Sequence, residues 1–286
     1  MNTYKISVKD GYMVDSDLPH NCIFNKARTG CGGTSIALNN GENYVVAVPT
    51  TELIINKCSS NDRCFGLYGN FTPKLKKELS DYIQQHECRK IICTYDKLPK
   101  LLALVDGKDY RLLVDEYHNF LKQYSFRDKA IDGVLDNFKA FKSFCFMSAT
   151  PIETDLKPNV LDGVPEYVAD WKEPLPICVL PYQTNKPYQF AANVIGKYKM
   201  QGCLEVNGHE SREAYFFLNS VQEIAHIIRQ CGLTNDNCRV ICANTSHNQK
   251  KLGEMKISYS LSPARMFNFI TCKSFEGADF FSETGL

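Results

Sequence analysis

The chain predicts an α/β fold built on parallel sheets, arranged as one complete block followed by a second, shorter one. Three observations lead there. Short apolar runs recur, as at Tyr44–Val48 and at residues 112–114; amphipathic stretches of helical length separate them; and the alternation stops at a proline-rich stretch and then resumes. A strand that is apolar along its whole length is buried on both faces, which is what crossover helices on either side of a parallel sheet produce.

Taken in order, strands are expected at residues 22–25, 44–48, 90–93, 112–114 and 144–147, with helices between them at 34–39, 51–57, 73–85, 96–104 and 130–138. These fill residues 1–155, the first domain. Residues 156–205 form a connection: Pro151, Pro158, Pro165, Pro174, Pro176, Pro181 and Pro187 crowd in and around it, a density that argues against long helices and fits short edge strands. Strands at 214–218, 239–242 and 267–271, with helices at 221–230 and 247–253, then make residues 206–286 a partial second domain.

Composition bounds the function. An apolar fraction of 44% over 286 residues supports packed cores. A net charge of +1 gives no global field for an acidic partner, so nucleic-acid contact has to be local. Of the 13 cysteines, Cys93, Cys145 and Cys242 lie inside apolar runs and read as small buried hydrophobes. Cys58, Cys64, His86 and Cys88 are a candidate zinc cluster, weighed against ordinary packing, which is preferred. No apolar run approaches the roughly 20 residues of a membrane span, and the first residues lack the apolar core of a signal peptide. The free thiols fit a cytoplasmic setting, in a bacterium or a virus-infected host cell. Lys74, Lys76 and Lys77, with Arg89 and Lys90 nearby, read as a solvated helix face in preference to a nucleic-acid contact.

Three segments carry chemistry. The first strand runs into Lys26-Ala27-Arg28-Thr29-Gly30-Cys31-Gly32-Gly33-Thr34-Ser35, a glycine-rich turn between strand and helix whose backbone N–H groups suit a phosphate and whose Thr34 hydroxyl suits Mg²⁺. A buried strand ends in Asp115-Glu116-Tyr117-His118, where Asp115 is placed to hold Mg²⁺ and Glu116 to polarise an attacking water. A further strand ends in Ser148-Ala149-Thr150, whose hydroxyls can relay hydrogen bonds between neighbouring loops.

In that order the segments resemble the motifs of superfamily 2 helicases of the DEAD/DEAH-box type. Thr29-Gly30-Cys31-Gly32-Gly33-Thr34 resembles motif I, the Walker A loop; Ala47-Val48-Pro49-Thr50 motif Ia; Thr94-Tyr95 motif Ib; Asp115-Glu116-Tyr117-His118 motif II; and Ser148-Ala149-Thr150 motif III. In the second half, Tyr215-Phe216-Phe217-Leu218-Asn219-Ser220 resembles motif IV, and Thr271-Cys272-Lys273-Ser274-Phe275-Glu276-Gly277-Ala278-Asp279 resembles motif V. The resemblance implies two RecA-like domains in tandem that bind ATP and Mg²⁺. It implies that Asp115 and Glu116, with Ser148 and Thr150, carry the catalysis. Lys26, the residues Thr29 to Ser35, Gly277 and Asp279 would line the nucleotide, and Pro49, Thr50, Thr94 and Thr271 would follow a nucleic-acid backbone.

Two departures stand out. Gly33 occupies the slot where the Walker A loop has its phosphate-binding lysine, and Lys26 or Arg28 upstream are the candidates to replace it. The sequence also stops at Leu286, soon after motif V, so motif VI with its arginine finger is expected to be missing and the second domain to be truncated. The whole resembles most the divergent helicase-like proteins of phages and mobile elements, including those like the herpesvirus origin-binding helicases. Two functions follow: an ATP-dependent helicase or translocase core acting on DNA or RNA, with DNA favoured, or a catalytically impaired RecA-like scaffold that binds nucleic acid or a protein. No replication or recombination partner is legible.

Overall fold

The computed structural model describes residues 2–59, 61–173, 181–206, 208–274, 280, 282, 284 and 285. The chain divides into two compact units, Met1–Leu175 and Pro176–Leu286.

The first unit is a three-layer α/β/α sandwich. Its strands are β1 (Asn2–Lys5), a small antiparallel pair β2 (Val8–Lys9) and β3 (Tyr12–Met13), β4 (Cys22–Asn25), β5 (Tyr44–Val48), β6 (Cys64–Leu67), β7 (Lys90–Thr94), β8 (Arg111–Asp115), β9 (Ser143–Ser148) and β10 (Glu166–Asp170). Its α-helices are α1 (Gly33–Asn39), α2 (Thr51–Ser59), α3 (Pro73–Gln85), α4 (Leu98–Leu102) and α5 (Asn119–Asn137). Eight strands form one sheet in the order β1-β10-β4-β9-β8-β5-β7-β6, and every pairing in it is parallel.

Side chains alternate across this sheet with period two, and each face has its own core. Ile23, Val45, Ala47, Ile91, Leu112, Val114 and Phe146 face a cluster completed by Leu79 of α3, Leu98 of α4 and Ile131 and Val134 of α5. Phe24, Val46, Ile92, Leu113, Cys145 and Met147 face the other way, against Ile36 and Leu38 of α1 and Leu53 and Ile54 of α2. The continuous apolar runs that signalled parallel strands are therefore strands with a helical layer on each side.

The second unit contains α6 (Pro187–Gln201), an antiparallel pair β11 (Leu204–Val206) and β12 (His209–Ser211), β13 (Ala214–Phe217), α7 (Val221–Gln230), β14 (Cys238–Ile241), α8 (Ser246–Leu252) and β15 (Phe267–Ile270). A parallel sheet in the order β13-β15-β14 packs Phe267 and Phe269 against Ile195 and Tyr198 of α6, Ile224 and Ile228 of α7 and Leu252 of α8.

The structure departs from the sequence expectation in identifiable places. The proline-rich stretch holds a 15-residue helix, α6. Pro187 stands in its first turn, where a missing N–H costs nothing, so the proline starts the helix instead of preventing it. The same stretch supplies β10, which lies between β1 and β4 in the main sheet. The helix expected at 130–138 begins eleven residues earlier, at Asn119, and bends at Arg127 (φ −137°, ψ 26°). The helix expected at 96–104 is a 3₁₀ turn, Tyr95–Lys97, followed by the short α4. Among the described residues no group of three or more His, Cys, Asp or Glu side chains could hold a metal. The Cys88 thiol instead donates to the Asn40 and Glu42 carbonyls, and His86 stacks on Tyr82 with ring centroids 4.4 Å apart. Lys90 leaves the basic surface as well: it is buried, and its ammonium donates to the Ala37 carbonyl (2.7 Å), Asn40 Oδ1 (2.6 Å) and the Glu42 carbonyl (2.5 Å).

Phe146 is the centre of an aromatic knot, edge-on to Tyr117, Phe120, Phe138 and Phe144 with centroids 5.2–6.2 Å away. Phe146→Ala is expected to destabilise the first unit by about 3–5 kcal/mol, the usual sum of lost transfer energy and residual cavity. Urea denaturation followed by far-UV circular dichroism checks this; a loss below about 1 kcal/mol would mean that the knot collapses onto the gap.

Candidate functional site

The carboxyl edge of the main sheet gathers the side chains that the sequence had marked. β4, β9 and β8 lie side by side, with Asn25 in register with Ser148, and Met147 with Asp115. The loops leaving these three strands therefore start from adjacent points on one edge, where parallel α/β sheets place their ligand sites.

The chain leaves β4 through a sharp reversal. The Lys26 N–H donates to the Ser148 carbonyl, the Ala27 N–H donates to Asn25 Oδ1, and Ala27 itself is left-handed at φ 58°. Lys26 consequently lies over the sheet edge and is 5% exposed. Its ammonium sits 2.7 Å from Glu116 Oε1 and 3.6 Å from Asp115 Oδ1. Burial alone would push the Lys26 pKa down; the two carboxylates outweigh it and hold the pKa above the ordinary lysine value. Burial likewise works to raise Glu116, yet its hydrogen bond to His118 and the Lys26 charge hold it below the ordinary carboxylate range.

Gly30 and Gly32 turn the following loop in left-handed conformations, φ 62° and 87°, and Gly32 leads directly into α1. Thr34, in the first turn of α1, donates its hydroxyl to Asp115 Oδ2 at 2.6 Å. That contact joins the glycine-rich loop to the end of β8, as the sequence expected of the pair. A side chain at Gly33 beside it would displace the end of Met147: a Cβ there would stand 2.7 Å from Met147 Sδ, with Lys26 Cδ in van der Waals contact at 3.8 Å.

Glu116 takes a left-handed conformation, φ 52°, that costs a residue with a Cβ on the order of 1–3 kcal/mol. The surroundings enforce it. Tyr95 donates its hydroxyl to the Asp115 carbonyl (2.7 Å) and the Glu116 carbonyl (3.2 Å), and Asn119 Nδ2 donates to the Glu116 carbonyl (3.0 Å). His118 then links two of the expected segments, with Nδ1 2.8 Å from Ser148 Oγ and 3.3 Å from Glu116 Oε2. Ser148 Oγ also accepts from the Thr150 N–H at 3.0 Å.

Not every expected residue joins this group. Pro49 follows β5 and Thr94 ends β7, farther along the same edge; the Pro49 carbonyl accepts from Arg127, whose other nitrogen is 3.8 Å from Asp96. Thr50 Oγ1 accepts from the Leu53 N–H at the start of α2, and Thr94 is buried. Thr271 lies in the second unit, buried, with its hydroxyl donating to the Ile241 carbonyl at 3.2 Å. Thr29, Cys31 and Ser35 lie in or just after the glycine loop, with Cys31 buried against Met13. Gly277 and Asp279 lie outside the described residues. The sequence reading assigned no site role to Tyr95, Arg127 or Trp171. Trp171 Nε1 donates to the Lys26 carbonyl at 2.8 Å, and the Arg28 guanidinium lies 4.0 Å above its ring. A lone tryptophan just past the domain's end was the available signal.

Residues 18–157 match the family model of the DEAD/DEAH box helicase. No curated protein matches the chain. Among solved structures, it is similar to Saccharomyces cerevisiae Dbp5 bound to Gle1 and IP6, at 12% identity over 88% of this chain and 64% of that one, with a TM-score of 0.52. It is also similar to the yeast DEAD-box splicing factor Prp28, at 16% identity over 91% of this chain and 64% of that one with a TM-score of 0.37. A hypothetical ATP-dependent RNA helicase from Sulfolobus tokodaii matches at 15% identity over 91% of this chain and 76% of that one, with a TM-score of 0.40. The chain thus spans 64% of the length of Dbp5 and of Prp28. The likeness to Dbp5 is one of fold: parallel α/β domains of the RecA-like kind.

The chain's single tryptophan makes the loop observable. Arg28→Ala uncovers one face of the Trp171 ring to water, so its fluorescence maximum is expected to move to longer wavelength. An unchanged spectrum would show that Arg28 does not cover the ring in solution.

Proposed function

With residues 18–157 taken as a DEAD/DEAH box helicase domain, we propose that the protein is the ATP-driven motor core of a superfamily 2 helicase or translocase working on nucleic acid. The observation that carries this reading is the 2.6 Å bond between Thr34 and Asp115, with Lys26 and Glu116 beside it. It assembles a hydroxyl, two carboxylates and a cation from two separate segments at the edge where a parallel sheet binds ligands. A charged strand end with no such task has no need to bury these groups together.

The donor set fits Mg²⁺. Thr34 Oγ1 and Asp115 Oδ2 are hard oxygen donors facing each other across the turn, and Mg²⁺ is characteristically held by one or two such protein oxygens together with substrate phosphates and water. When bound, the metal would neutralise charge on the β- and γ-phosphates of ATP. The protein's own part is then positional. Thr34 and Asp115 would hold the metal. Glu116, oriented by His118 and by its enforced backbone, would accept the proton of the water that attacks the terminal phosphorus as the bond to ADP breaks. His118 and Ser148 would pass the state of this centre to the loop at Thr150. Of the residues expected along a nucleic-acid backbone, Thr50, partly exposed after β5, would face it in the first unit, while Thr94 and Thr271 are buried in their own units. DNA, favoured from the sequence, and RNA are compared directly as stimulating strands.

Glu116→Gln is expected to lower nucleic-acid-stimulated ATP turnover by about 10²–10⁴-fold while changing Mg-ATP affinity little, because the lost charge matters mainly in the transition state. Asp115→Asn is expected to weaken Mg-dependent binding itself. Steady-state ATPase assays with single-stranded DNA or RNA, beside calorimetry with Mg-ATP, separate the two effects. Full turnover in Glu116→Gln would remove it from the role of base. Binding of nucleic acid without ATP turnover in the wild type would favour the scaffold.

A further inference from the structure

Gly33 leaves the loop without a cation of its own, and the neighbourhood shows what has taken its place. The space into which a residue-33 side chain would start is filled by Met147: an added Cβ would lie 2.7 Å from its sulfur and 3.0 Å from its methyl carbon. Met147 is held there by the sheet, in register with Asp115 on one side and Phe24 on the other, and it is fully buried. The aliphatic stem of Lys26 runs along the same spot, with Cδ 3.8 Å from that Cβ position. Its ammonium ends at Asp115 and Glu116.

We propose that Lys26, entering from the end of β4, is the phosphate-binding cation of this loop, and that Lys26, Gly33 and Met147 form one coupled exchange for a lysine at position 33. This rests on the nucleotide reading above. A lysine at 33 would require the end of the Met147 side chain to move, whereas Lys26 already brings an ammonium to the site from the end of β4. Lys26 places its ammonium 3.6 Å from Asp115 Oδ1 and 2.7 Å from Glu116 Oε1. An ammonium has three donors, so Lys26 can meet a phosphate oxygen while keeping a carboxylate partner. Arg28, the other candidate from the sequence, is committed elsewhere: its guanidinium lies on Trp171 and donates to the Glu173 carbonyl.

The test is equilibrium binding of ATP, ADP and AMP to the full chain, with Mg²⁺ and again in EDTA, for wild type, Lys26→Met and Lys26→Gln. Gln keeps a donor for the carboxylates without the charge, and thermal melts of both variants confirm folding. Loss of a hydrogen bond to a charged group corresponds to about 10- to 150-fold in affinity. That loss is expected for ATP in both variants, with or without Mg²⁺, and AMP affinity is expected to change little. A triple variant, Lys26→Met/Gly33→Lys/Met147→Ala, is expected to regain at least tenfold over Lys26→Met. Wild-type ATP affinity in both single variants would overturn the proposal. Equal losses for ATP and AMP, or a loss confined to Mg²⁺ buffer, would overturn it too, since Lys26 would then only shape the site or act through Asp115. No gain in the triple variant would overturn the exchange. Wild type that binds no ATP at millimolar concentration would instead overturn the nucleotide reading itself.

Discussion

The edge of the main sheet is organised around one buried ammonium. Lys26 is almost wholly removed from water, and an uncompensated charge there would cost several kcal/mol. Two carboxylates compensate it, and each is fixed by a different part of the molecule: Asp115 by the Thr34 hydroxyl at the start of α1, and Glu116 by His118, which is itself bound to Ser148. The loops after β4, β8 and β9 are thus held to one another by charge-assisted contacts in a low-dielectric place. Moving any one of them breaks a bond in the other two. The left-handed backbone at Glu116 is tolerable because this network and Tyr95 over-determine it.

Much of this was legible in the sequence. The strands at β4, β5, β7, β8 and β9 are buried on both faces, so they appear as unbroken apolar runs, and the residues that follow them are the polar groups found together at the edge. The strands that escaped notice are of another kind. β1, β6 and β10 lie at or near the sheet's borders and are only partly covered; β1 and β10 mix polar with apolar residues, as in Glu166-Tyr167-Val168-Ala169-Asp170, and β6 is four residues long and interrupted by Gly66. The front half of α5 escaped because it exposes Leu121, Tyr124 and Phe126, which blurs its apolar stripe, and because it bends at Arg127. In the proline-rich stretch, composition was weighed without position: Pro187 begins a helix as readily as an inner proline ends one.

The candidate site was legible by residue type and order but not by geometry. Spacing offered Lys26 and Arg28 as equivalent replacements for a missing lysine. What separates them is tertiary: Trp171, some 140 positions downstream, takes the guanidinium onto its ring and the Lys26 carbonyl onto its indole N–H. Likewise nothing local in Phe146-Met147-Ser148 marks Met147 as the side chain that fills the space beside Gly33. Such facts depend on which strands become neighbours, and the pattern of apolar runs leaves strand order open.

Strand order also bears on how the protein is made. β4, which carries the glycine-rich loop, leaves the ribosome well before both of its partners, β9 at Ser143–Ser148 and β10 at Glu166–Asp170. Until those residues emerge, β4 has two open edges, and the loop after it lacks the Ser148 carbonyl and the Trp171 indole that fix its first turn. Pairings of such long sequence separation form slowly, because the intervening chain must be closed before they return any energy. The glycine-rich loop is therefore among the last parts of the first unit to take shape, and a nascent chain cannot hold it in final form before the chain through Trp171 is free to fold. Strand order thereby makes a finished first unit the precondition for a finished loop.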